Sequence, residues 1–312
     1  MIPLKPPRLR PGDLIGLVSP ASTIADPSRI ERGVRYLEGC GYRVIVGAHI
    51  TKVFGYLAGT DEERVADLHS MFSNSAVRAI MCVRGGYGTP RLLSLINYRL
   101  IARNPKILLG YSDITALQLA IWRKTGLVSF QGPMVGVDMA DPMDRWTEEL
   151  LWSILTTNKK RGKIDLPQGV GETLTPGQGK GVLLGGNLAL VLSVLGTPYQ
   201  PDFRNAILFL EDIGEEPYRV DRMLAQLHSA SILSKCSVIL GGQFTDCVPQ
   251  DKTKPSFTVE EVLRDAARKV GTPFLARLPF GHEHPKMTVP LGIQARVDAG
   301  SCMVEYLQSA VR

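Results

Sequence analysis

Lys106-Ile107-Leu108-Leu109-Gly110-Tyr111-Ser112-Asp113-Ile114-Thr115 decides how the rest of the chain is read. An apolar run of strand length ends in Gly-Tyr-Ser-Asp, and a helical pattern starts at once with Thr115-Ala116-Leu117-Gln118-Leu119-Ala120-Ile121. A serine on such a sharp strand-to-helix turn has its hydroxyl lifted clear of the sheet, near the positive end of the next helix. The pattern is only G-x-S, without the second glycine of the usual hydrolase elbow. Taken alone, Ser-Asp after a strand is more often a helix N-cap. The surrounding chain has to choose between the two.

Outward from this stretch, the first half alternates strand and helix. Asp13–Ser19 predicts a buried strand, Pro27–Glu38 a helix, Arg43–Val46 a strand and Asp61–Phe72 a second helix. Val77–Val83 predicts a third strand running into Arg84-Gly85-Gly86-Tyr87-Gly88, and Leu127–Phe130 follows the elbow helix. Repeated β-α units of this length imply an α/β fold, with a mostly parallel sheet flanked by helices. Ligands of such sheets sit at the carboxyl ends of the strands, where both the glycine loop and Ser112 fall.

From about Trp146 the pattern changes. At 312 residues the chain exceeds the usual size of one core, so two domains are expected. We expect an N-terminal nucleophile domain over 1–157, a polar crossover over 158–180 and a C-terminal mixed α/β domain over 181–312. The functional site would then lie at the cleft between them. Within the second half, Ala206–Leu210 is an apolar strand ending in Glu211-Asp212, and Ser237–Leu240 and Val259–Val270 predict a strand and a helix.

Composition narrows the class. The net charge of +6, from 36 basic and 30 acidic side chains, is spread along the chain, and its densest basic run is Lys159-Lys160-Arg161. No stripe suits a nucleic acid. Five widely spaced cysteines with no C-x-x-C argue for reduced thiols and against a disulfide frame or zinc site. The N-terminus lacks the apolar core of a signal peptide and no apolar run approaches membrane-spanning length. The expectation is a cytoplasmic protein with no membrane partner.

A serine hydrolase needs a base, a carboxylate to orient it and donors for the oxyanion. Among five histidines, His69 and His228 read as helix-surface or packing residues, and His49 lies just past an early strand. His282 and His284 fall in the irregular Pro279-Phe280-Gly281-His282-Glu283-His284-Pro285, where a base and a solvated turn are equally good readings. His282-Glu283-His284 also allows a metal, but no third ligand supports it. Of the two carboxylates ending the apolar strand, Glu211 is the better oriented candidate. Gly85-Gly86 offers bare amides for a substrate oxygen, alongside the amide of Asp113, or is simply a tight turn.

Taken in order, these motifs resemble one family: Pro11-Gly12-Asp13, Val18-Ser19-Pro20-Ala21, Arg84-Gly85-Gly86-Tyr87-Gly88, Gly110-Tyr111-Ser112-Asp113, Gly185-Gly186-Asn187-Leu188, Leu210-Glu211-Asp212 and Gly281-His282. The chain resembles the LD-carboxypeptidases, serine peptidases that also include the microcin C immunity peptidases. The resemblance implies a Ser112–Glu211–His282 triad, with Gly86 and Asp113 amides as oxyanion donors and no metal or organic cofactor. It further implies a cytoplasmic homodimer that releases terminal D-alanine from murein tetrapeptides, after the L-centre of diaminopimelate, during peptidoglycan recycling. The alternative within the family is cleavage of aminoacyl sulfamoyl adenylate-like amides; outside it, a non-catalytic muropeptide-binding module. An exopeptidase must also hold a terminal carboxylate, and Arg84 beside the glycine loop is the candidate cation.

Overall fold

The computed structural model describes residues 2–312. The first half runs β1 (Leu14–Val18), α1 (Ser28–Gly39), β2 (Arg43–Val46), α2 (Asp61–Ser73), β3 (Val77–Cys82), α3 (Tyr98–Arg103), β4 (Ile107–Leu109), α4 (Ile114–Thr125), β5 (Ser129–Gln131) and α5 (Arg145–Thr156). The chain continues with β6 (Gly162–Lys163), β7 (Glu172–Thr175), β8 (Gln178–Asn187), α6 (Leu188–Ser193), β9 (Ile207–Ile213), α7 (Pro217–Ser229) and α8 (Ile232–Lys235). It ends with β10 (Val238–Thr245), α9 (Val259–Val270), β11 (Phe274–Ala276), β12 (Val289–Leu291), β13 (Gln294–Asp298) and β14 (Met303–Tyr306).

Two sheets organise these elements into the expected α/β architecture. The first has the order β12-β5-β4-β3-β1-β2 and is parallel except for β12, which pairs antiparallel with β5. Its central strands β3 and β4 read as near-continuous apolar runs because helices cover both faces. The second has the order β6-β14-β13-β8-β9-β10-β11-β7, with β8 to β11 parallel and the outer strands antiparallel.

Local chemistry accounts for the helix ends. α2 and α9 each start with a capping box, Thr60 with Glu63 and Thr258 with Glu261, so two orphan amides are satisfied at each start. α4 is buried from Ile114 to Trp122, which an amphipathic surface helix would not be. It packs against β5 on its own side and against β8 and α6 of the second half. Polar bonds fix this seam: Thr115 Oγ1 accepts from the Asn187 backbone amide (3.0 Å) and from Gln131 Nε2 (2.9 Å).

The segment 158–180 holds β6, β7 and the start of β8, all paired in the second sheet. Much of this stretch is half or fully exposed, and glycines and prolines interrupt it. Strands of that kind carry no clean alternation of apolar and polar residues, which is the signal a strand is read from.

Candidate active site

Between β4 and α4 the chain Gly110–Asp113 forms an elbow. Ser112 has φ 63°, in the left-handed region that a serine enters only when its surroundings impose it. No side chain caps α4 at Asp113; the Asp113 carboxylate instead accepts from the Thr89 amide (2.8 Å). The Thr89 hydroxyl donates to the Asp113 carbonyl, so elbow and glycine loop are stitched together. Burial pushes the Asp113 carboxyl up, and the Thr89 bonds oppose it. The helix-cap reading of Ser112-Asp113 is therefore replaced by the elbow.

Gly85 needs to be glycine because it touches the elbow: a Cβ there would lie 2.8 Å from Ser112 Cβ and 3.0 Å from Ser112 Oγ. Gly86 is exposed next to it. The loop is held from behind by Arg64, whose buried Nη1 donates to the carbonyls of Pro20 (2.6 Å) and Gly88 (3.1 Å). Asp61 pairs with the same guanidinium. Arg84 donates from Nη1 to the Thr23 carbonyl (3.1 Å), while its buried Nε has no partner in the protein.

From the second half, β9 delivers Glu211 and the loop after β11 delivers His282. His282 Nδ1 lies 2.8 Å from Glu211 Oε2, with the Glu211 side chain 2% and the His282 side chain 13% exposed. With Glu211 ionised, Nδ1 carries the proton and donates it, leaving Nε2 available as a base. Gly281 has φ 127°, which lets the backbone turn just before the histidine, and a Cβ on it would stand 3.2 Å from Glu211 Oε2. The Tyr111 ring meets the His282 ring edge-on at 5.1 Å. The residue beside Ser112 thus touches His282.

Asp212, the rejected neighbour of Glu211, plays a structural part. Its carboxylate accepts from Asn187 Nδ2 (2.8 Å), the Ala189 amide (3.1 Å) and the Ile213 amide (2.9 Å), anchoring the start of α6. Burial and the adjacent Glu211 charge push its carboxyl up to about 6.

The other histidines separate as well. His49 Nδ1 pairs with Asp67 (2.9 Å), and His69 Nε2 accepts from the Asn97 amide (2.9 Å). His284 faces Asp138 (3.3 Å) and Asp144 (3.4 Å), away from the Glu211 pair. His282 and His284 therefore engage different carboxylates, and among the described residues no cluster of three or more His, Cys, Asp or Glu could hold a metal.

Sequence reasoning missed two supports. Lys286, buried with Asp138 at 2.6 Å, reads in sequence as an ordinary loop lysine. Arg64 reads as a solvated charge on α2, although its side chain is fully buried. No local pattern announces that Lys286 meets Asp138, or that Arg64 is buried against the carbonyls of Pro20 and Gly88, far away in the chain.

The chain is similar to known proteins in both halves. The LD-carboxypeptidase N-terminal domain matches residues 15–132, and the LD-carboxypeptidase C-terminal domain matches residues 180–297. A probable murein peptide carboxypeptidase of Bacillus subtilis (strain 168) is 41% identical over 298 residues, 94% of this chain and 91% of the relative. Among solved structures, the microcin C7 self-immunity protein in complex with aspartyl sulfamoyl adenosine superposes with TM-score 0.91 at 28% identity, covering 99% of this chain and 100% of that one. A muramoyltetrapeptide carboxypeptidase from Oxalobacter formigenes gives 0.81 at 29% identity, covering 94% and 97%. These structures share the two-domain fold. Matched in both halves and along nearly its whole length, this chain belongs to the LD-carboxypeptidase family of serine peptidases.

Proposed function

We propose that the protein removes the terminal D-alanine from murein tetrapeptides, cutting after the L-centre of diaminopimelate, with Ser112, His282 and Glu211 as the triad. The observation that carries this reading is the buried 2.8 Å pair of His282 and Glu211 against the Tyr111 ring, whose next residue in the chain is the elbow serine at φ 63°. Ser112 Oγ attacks the peptide carbonyl while His282 Nε2 takes its proton. Glu211 orients the ring and stabilises the imidazolium. The amides of Gly86 and Asp113 receive the oxyanion, and His282 then protonates the departing D-alanine amine. Water, activated by the same histidine, releases the shortened peptide. Arg84 grips the terminal carboxylate, its Nη1 being steadied by the Thr23 carbonyl.

In this reading the nucleophile half and the Glu–His half work across their junction. The chain acts as a cytoplasmic homodimer in peptidoglycan recycling, with no metal, organic cofactor, nucleic acid or membrane involved. Among the described residues no helix is long and apolar enough to cross a membrane.

Mass spectrometry of purified protein incubated with murein tetrapeptide tests the proposal, with Ser112→Ala alongside. Loss of one alanine with the wild type only is the expected result; turnover by the variant would remove Ser112 as nucleophile. A second reading has one specific support, the higher structural likeness to the self-immunity protein. Aspartyl sulfamoyl adenosine in the same assay separates the two, because hydrolysis of it without loss of D-alanine from tetrapeptide would favour the second.

A further inference from the structure

We propose that the buried ion pair of Asp138 and Lys286, with the Tyr111 ring laid over it, is the latch that fixes His282 relative to Ser112; the inference rests on the triad reading above. Two halves contribute to the site, so something must hold the histidine loop in register with the elbow. The loop from His282 to Lys286 is shared between the halves: His282 and the Glu283 amide bond to Glu211 and Gln243 of the second, while His284 and Lys286 are tied to the first. Lys286 Nζ meets Asp138 Oδ1 at 2.6 Å, with both side chains 2% exposed, and the Lys286 backbone amide donates to Thr147 Oγ1 (2.7 Å) at the start of α5. His284 adds contacts to Asp138 and Asp144. Asp138 is itself held, accepting from the Met134 amide (2.8 Å).

Tyr111 converts this docking into a constraint on chemistry. Lys286 Nζ sits 3.7 Å from the centre of the Tyr111 ring, and that ring packs edge-on against His282 at 5.1 Å. A cation over a ring face in a dry setting is a directional contact. The ring's next residue in the chain is Ser112, so one side chain touches the latch and the base while its backbone carries the nucleophile.

Stability alone does not explain the pair. Removing an ammonium and a carboxylate from water is expensive, and an apolar replacement of similar size is often neutral or stabilising. Burial draws the Lys286 ammonium down from the usual lysine range, with Asp138 opposing. Burial also works against the Asp138 charge, yet His284 and Lys286 together hold its carboxyl below the usual range. The titratable groups facing Lys286 are Asp138 from the loop after β5, Tyr111 from the elbow and Glu211 from β9; His284 and Asp144 reach it through Asp138, and Arg84 bears on Tyr111. The cation therefore also faces Glu211, the partner of His282.

The test compares full-length wild type, Lys286→Met and the charge-neutral double variant Asp138→Asn/Lys286→Met. Thermal melting is read with the pH profile of Ser112 labelling by a fluorophosphonate, which needs no knowledge of the substrate, and with kcat and KM on murein tetrapeptide. We expect both folded variants to lose about 10²-fold in labelling rate and kcat while KM stays within about threefold. Lys286→Met should move the acidic limb of the labelling profile to higher pH, since loss of the cation favours an imidazolium that cannot accept the serine proton. The double variant should restore the limb but not the rate. A folded double variant labelled at the wild-type rate, or a Lys286→Met limb that stays in place, overturns the latch. So does a double variant that melts far below wild type, which would make the pair a stability element. Wild type that takes no label and turns over nothing removes the triad reading itself, whereas labelled wild type with unaffected variants removes only the latch.

Discussion

Gly85 approaches Ser112 so closely that the only space for a methyl group on it lies 2.8 Å from the serine Cβ. The glycine loop and the elbow are thus shaped against each other, and adding a carbon must displace one of them. Gly85→Ala is expected to cut fluorophosphonate labelling of Ser112 by about 10²-fold, since a displacement of about 1 Å at a reacting centre has that effect. Labelling at the wild-type rate would show that the loop yields without moving the serine.

Glu211 has one role in the triad reading, to accept from His282 Nδ1 and offset the imidazolium charge. Glu211→Gln keeps the size but can present its amide NH₂ to the ring and favour the wrong tautomer. By analogy with carboxylate replacement in other triads, kcat should fall by up to about 10⁴-fold with little change in KM. Near-normal turnover would point to Asp212 as the orienting group.

Arg84 is predicted to act on the ground state. Arg84→Ala should raise KM for tetrapeptide by about tenfold or more, because a charge-assisted bond to the terminal carboxylate is lost. A peptide whose terminal carboxylate is amidated should lose nothing further in the variant. Unchanged kcat/KM would return Arg84 to its contact with Thr23.

Asp212 gives a pH signature opposite to that of a paired surface aspartate. Its folded carboxyl is raised to about 6 by burial and by Glu211, so between about 4 and 6 the folded state binds more protons than the unfolded one. The contribution of this group to stability therefore grows as pH falls through 6 and is smaller above it. Asp212→Asn should remove that dependence and, by putting an amide NH₂ where one carboxylate oxygen accepts from the Ala189 amide of α6, cost about 1–3 kcal/mol. Melting curves at several pH values check both; a gap between wild type and variant that does not change with pH would refute the assignment.

The alternation of strand and helix in the first half was legible because each element carries its own signal. Arg43–Val46 and Val259–Val270 coincide with the strand and helix read from the sequence, and the elbow was visible as a strand, a turn and a helix in ten residues. The serine, the Glu strand and the Gly-His loop were legible as separate local motifs. What holds them together was not. Lys286 with Asp138, and Arg64 with the carbonyls of Pro20 and Gly88, are partnerships across the fold, and a single sequence marks a buried ion no differently from a solvated one. The outer strands β6 and β7 were missed for the same reason, since pairing with a distant partner made them strands.

The short strand Val289–Leu291 belongs to the second half in sequence but closes the edge of the first half's sheet, beside Ser129–Gln131. Neither half is then a self-sufficient module. A chain cut between the two would leave a bare sheet edge on one fragment and a strand without a partner on the other. Shuffling one half against a relative's would exchange a structural wall of the other, so the two halves are constrained to vary together and to unfold as a single cooperative unit.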